Sequence, residues 1–161
     1  MEEEGKGLEE RTGALLSQRG WSLAVAESCT GGLLGHRITN VPGSSTYFQG
    51  GIISYSNDAK EEILAVAHET LLEHGAVSQE TALAMAHAAR RLFGTDIGLS
   101  VTGIAGPTGG TVEKPVGLVY IALAADGMAL SEKHLWTGDR AHNKQQSAEA
   151  ALRLLLKYLT R

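Results

Sequence analysis

The stretch Leu23-Ala-Val-Ala-Glu-Ser-Cys-Thr-Gly-Gly32 decides the fold. Its first half is a short apolar run suited to a buried strand. It stops at Thr30-Gly31-Gly32, where glycine permits a sharp reversal, and a helical segment follows to about Thr39. Strand, glycine turn and helix in that order are the opening of an α/β layer. Upstream, Leu8, Leu15 and Leu16 among Glu, Arg and Gln read as an amphipathic helix to Arg19, closed by Gly20 where a left-handed cap residue belongs. Downstream, Tyr47 to Tyr55 reads as a second strand, with Gly50-Gly51 marking a bulge or a close backbone approach. Ser56-Asn57 then caps a helix over Asp58 to Ala67.

The second half of the chain repeats the alternation. An alanine-rich helix (Ala82, Ala84, Ala86, Ala88, Ala89) starts near Ser78 and ends at Gly94. Asp96 to Val101 is a third strand. The following Thr102-Gly-Ile-Ala-Gly-Pro-Thr-Gly-Gly110 is too polar and too bent to continue it. Val116 to Ala125 and Met128 to Trp136 read as two strands joined at Asp126-Gly127, a strong hairpin signal. Asp139 opens a last helix in which Ala148, Leu152, Leu155 and Leu159 form one apolar stripe. The expected fold class is α/β: a five-stranded mixed sheet with parallel units early and an antiparallel hairpin late. In such sheets ligands sit beyond the carboxyl ends of the strands, where the turns after Ser28 and Val101 fall.

The chain has 161 residues, 43% apolar and 20% charged, which suits one globular domain over 1–161 and argues against disorder or coiled coil. No linker, internal repeat or low-complexity segment interrupts it. Its 20 glycines are roughly twice the average share, and they have no Gly-X-Y period. The net charge is -4, with no basic run longer than Arg90-Arg91, so neither direct nucleic-acid binding nor an anionic membrane surface is expected. A lone cysteine, Cys29, and a start without a signal-peptide pattern point to a cytoplasmic protein. The longest apolar stretch, Val116 to Ala125, is about half the length a membrane helix needs.

Two groups of residues invite chemistry. Ser28 and Cys29 stand at a strand end beside backbone N–H groups that begin a helix, a place that holds a phosphate or an oxyanion, or simply a helix cap. Cys29 reads as a small buried hydrophobe, since no histidine adjoins it. Lys60 falls in the first turn of a helix, where a cation is disfavoured. It is either a solvated surface lysine near Asp58, Glu61 and Glu62 or a general base. An ordinary lysine is neutral in only about one molecule in 2,500 at pH 7, so a base here requires desolvation. Gly103 to Gly110 meets neither the P-loop nor the dinucleotide spacing and remains a generic anion cradle or a surface loop. Arg140 and Lys144, four apart, share one face of the last helix. No histidine or cysteine spacing suggests a metal, and no cofactor is expected.

Taken together, Ala26-Glu-Ser-Cys-Thr-Gly-Gly32, Gly50-Gly-Ile-Ile-Ser-Tyr-Ser-Asn-Asp-Ala-Lys60, His74-Gly-Ala-Val-Ser78, Ser100-Val-Thr-Gly-Ile-Ala-Gly-Pro107, Lys114-Pro-Val-Gly117 and Gly138-Asp-Arg140 resemble the CinA C-terminal domain family. The match runs from about Leu8 over nearly the whole chain and looks like the stand-alone form. The resemblance implies a three-layer α/β/α sandwich and a nicotinamide-nucleotide amidase, which converts nicotinamide mononucleotide to nicotinate mononucleotide and ammonia in NAD salvage. It implies Ser28 as nucleophile and Lys60 as its base. Thr30, Gly31, Gly32, Tyr55, Asn57, Thr102, Gly103, Gly106, Arg140 and Lys144 would serve as substrate-binding positions. Lys144 stands where the amidases often carry a second arginine. The alternative is a non-catalytic nucleotide-binding or regulatory module acting in competence or DNA-damage responses. A homo-oligomer is expected from the family habit and from an exposed edge on a small sheet.

Overall fold

The computed structural model describes residues 5–161. Five strands form one sheet: β1 (Leu23–Glu27), β2 (Phe48–Ile53), β3 (Ile97–Gly103), β4 (Leu118–Ala125) and β5 (Met128–Leu135). Their order is β2-β1-β3-β4-β5. β1 runs parallel to both β2 and β3, and β4 and β5 are antiparallel additions. Helices α1 (Leu8–Arg19), α2 (Leu33–Thr39), α3 (Asn57–Glu62), α4 (His68–His74), α5 (Gln79–Phe93) and α6 (Arg140–Leu159) connect and cover it. None of the described helices is long and apolar enough to cross a membrane.

The two faces of the sheet differ in grain. On one, Leu23, Val25, Leu99, Val101, Ile121 and Leu123 pack against α1, α2 and α6 in a core of large aliphatic side chains. On the other, Ala24, Ala26, Ala122 and Ala124 meet the alanines of α5. The small residues let α5 approach until backbone touches backbone: Ser100 Oγ donates to Ala82 O at 2.6 Å, and a Cβ at Gly98 would overlap Ala86 O. This closeness fixes α5 against the strand that leads to the site.

Most element ends fall where the local chemistry puts them. Gly20 and Gly94 take left-handed conformations after α1 and α5, and Ser78 and Asp139 cap α5 and α6. Four expectations need correction. The third strand runs on past Val101 to Gly103, because Thr102 and Gly103 keep the ladder with Tyr120 and Val119 of β4. The helix expected over Asp58–Ala67 ends at Glu62, because the chain reverses at Ala65 (φ 54) to bury Leu64 and Val66, and a separate α4 follows. The second strand is shorter than Tyr47–Tyr55, since Tyr47 belongs to the core beneath it and Tyr55 lies open to solvent. The fourth begins at Leu118, because Gly117 (φ 92) turns the chain against Trp136 O.

Candidate active site

The site lies at the carboxyl ends of β1 and β3. Ser28 continues the β1 ladder by donating its N–H to Val101 O at 2.9 Å, so the side chain is carried by the interior of the sheet. The chain then turns through Gly31 (φ 58) and Gly32 (φ 103), conformations that a residue with a Cβ adopts only under strain. From the neighbouring strand, Ser56 caps α3 by accepting from Ala59 N, and one turn of helix aims Lys60 back toward β1. Lys60 Nζ donates to Ser28 Oγ at 2.9 Å and to Ser54 O at 2.7 Å.

The environment of that amine sets its chemistry. Lys60 is 1% exposed, and among the described residues no carboxylate pairs with it. Burial pushes its pKa below the ordinary lysine value; only a negative charge on Cys29 would oppose this. That thiol is itself pushed up to about 12 by burial, so it carries no such charge near neutrality. A neutral lysine keeps one lone pair for the serine hydroxyl while an N–H still donates to Ser54 O. Such an arrangement can let an amine activate a serine.

A cavity of about 330 Å³ opens over Ser28, lined also by Cys29, Tyr55, Arg140 and the loop residues Gly103–Gly106, Thr108 and Gly109. Arg140, the first residue of α6, spans its mouth by donating to Gly106 O and to Tyr55 Oη, both at 2.8 Å. Buried Asn143 ties α6 to the same loop through Ala105 O. On the far side of Arg140 a second cavity, of about 390 Å³, is lined by Leu33, Ala141, Lys144 and Gln145. Lys144 Nζ reaches to 3.6 Å from where a Cβ on Gly31 would stand.

Of the sequence candidates, Ser28, Tyr55, Gly103, Gly106 and Arg140 line the first cavity and Arg140 and Lys144 the second, while Lys60 is bonded to Ser28 and Gly31 and Gly32 form the turn after it. Three other sequence candidates sit apart from the cavity lining. Asn57 is exposed at the start of α3, Thr102 donates to Ala76 O on the α5 side of the sheet, and Thr30 is buried with its hydroxyl donated to Glu27 Oε1. The sequence reading passed over Glu27, Asn143 and the Ser54 carbonyl. Glu27 carried a legible signal, as the single charge closing an otherwise apolar, fully buried strand.

Residues 5–159 match the family described as the CinA C-terminal domain. The chain belongs to that family. A competence-damage inducible protein of Moorella thermoacetica is 55% identical over 94% of this chain and 37% of its own length. A CinA-like protein of Chloroherpeton thalassium is 50% identical over the same shares. The chain therefore spans little more than a third of these curated CinA relatives. Among solved structures, the competence/damage inducible protein CihA from Agrobacterium tumefaciens superposes with a TM-score of 0.92 at 40% identity, covering 96% of this chain and 94% of that one.

Proposed function

We propose that this CinA C-terminal domain hydrolyses the carboxamide of nicotinamide mononucleotide, releasing nicotinate mononucleotide and ammonia. The observation that carries the reading is the 2.9 Å contact between Ser28 Oγ and a buried Lys60 that has no carboxylate partner among the described residues. Neutral Lys60 takes the Ser28 proton as Oγ adds to the carboxamide carbon. The resulting oxyanion is held by main-chain amides after Ser28. Gly31 N already donates to Ser28 O, whereas Thr30 N and Gly32 N donate to no main-chain carbonyl among the described residues. The Lys60 ammonium returns the proton to the departing nitrogen, which leaves as ammonia. A water deprotonated by the same amine then hydrolyses the ester and restores Ser28.

Recognition of the nucleotide falls to the mouth. The Arg140 guanidinium has five N–H donors, of which two are engaged with Gly106 and Tyr55. The remaining donors and the Lys144 ammonium place positive charge beside the serine cavity, suited to a phosphate. The test is ammonia release from nicotinamide mononucleotide, with calorimetry on the same samples. Ser28→Ala and Lys60→Met are expected to bind the nucleotide and release no ammonia. Binding without turnover by the unaltered chain would refute the amidase in favour of a nucleotide-binding module.

A further inference from the structure

We propose that Glu27 is the positioning residue of this site, the one residue through which both halves of the Ser28–Lys60 pair are held. The proposal rests on the Ser-Lys reading above. Glu27 is 2% exposed, and its carboxylate gathers three donors: Thr30 Oγ1 at 2.6 Å and Leu34 N at 2.9 Å on Oε1, and Gly35 N at 3.0 Å on Oε2. α2 begins at Leu33, and its N-cap residue, Gly32, has no side chain with which to cap it. The cap is instead supplied from five residues upstream, across the turn that holds Ser28. The residues 28–32 are thereby enclosed between Glu27 and the amides it anchors. The main chain of Glu27 holds the other half of the pair. Its carbonyl accepts Ser54 N at 2.8 Å, and the Ser54 carbonyl in turn receives Lys60 Nζ.

The chemistry of the carboxylate suits this role and no close substitute does. An ionised carboxylate only accepts, with about four lone-pair sites for its three donors. A glutamine turns an NH2 toward one of those donors, and an aspartate is a methylene too short. Thr30 belongs to the same device, because its hydroxyl donates to Glu27. Loosening the turn misdirects Ser28 Oγ and the Thr30 and Gly32 amides after it, while Arg140 and Lys144, on α6, keep their places. The loss therefore falls on the acyl-transfer step, and nucleotide binding is spared.

The experiment uses the full chain, a small fluorophosphonate and nicotinamide mononucleotide. The fluorophosphonate bonds its phosphorus to Ser28 Oγ, releases fluoride and passes the serine proton to Lys60, and it needs none of the nucleotide contacts. Glu27→Gln and Thr30→Val are expected to label about 10²-fold more slowly, with kcat lowered by a similar factor and KM unchanged, and Thr30→Ser to restore both. Folded variants that label at the unaltered rate would overturn the proposal. So would a raised KM with normal labelling, which would make Thr30 a substrate contact. If Glu27→Gln does not fold, the two Thr30 variants decide the question. An unaltered chain that takes no label and releases no ammonia would instead refute the Ser-Lys reading itself.

Discussion

Replacing Lys60 by methionine isolates the cost of burying an amine, and its signature is a slope against pH. Burial holds the native pKa below the ordinary 10.5. Below the native value both folded and unfolded chains carry the proton, and the burial penalty is present in full. Between the native value and about 10.5 folding releases that proton, and stability climbs with pH by up to about 1.4 kcal/mol per pH unit. Above that range both states are neutral and the penalty is gone. Lys60→Met has a similar length and no titration, so subtracting its stability from that of the unaltered chain cancels every other group. The hydrogen bonds lost to Ser28 and Ser54 displace the difference curve by a constant and leave its slope. Urea unfolding of both proteins across the neutral to alkaline range gives the curve directly. The ascending limb of kcat/KM for ammonia release should lie at the pH where the curve begins to climb, since one group governs both. A flat difference would mean a solvated amine, and one that falls with rising pH would mean an ion-paired lysine; either refutes the reasoning.

Cys29→Ala should keep most of the proposed amidase activity. The native thiol should also resist iodoacetamide at pH 8, where a pKa of about 12 leaves about one thiol in ten thousand ionised; intact mass after timed exposure reads the result. Gly98→Ala should lose about 1–3 kcal/mol in urea unfolding, because the new methyl meets Ala86 O and, at 2.9 Å, Arg90 N, which are backbone atoms with no rotamer to yield.

The layer order was readable in the sequence because its signals are local. Glycine after a helix, serine or aspartate before one, and Asp126-Gly127 between two apolar runs each act within a few residues. The turn at Ala65 was hidden because it answers to a distant partner, the core that Leu64 and Val66 enter beneath α5. Lys60 shows the same limit within the site. Its spacing gave a helix, and its burial and aim come from the turn over which Ser56 caps α3. The placement of Thr102 follows from alternation along β3: Ser100 and Thr102 both donate to carbonyls on the α5 side, whereas Leu99 and Val101 enter the opposite core. Glu27 was visible as a charge but not as a hub, since its donors lie three, seven and eight residues away around a turn that the sequence leaves unshaped.

The pair at the centre of the site is divided between unequal supports. Ser28 extends β1, which has a neighbour on each side, whereas Lys60 follows β2, an edge strand with one neighbour. Edge strands open at lower free energy than interior ones. Fraying of β2 and α3 would withdraw the amine and flood its place with water while the rest of the sheet stayed intact. The proposed chemistry is therefore only as durable as the sheet's outer margin.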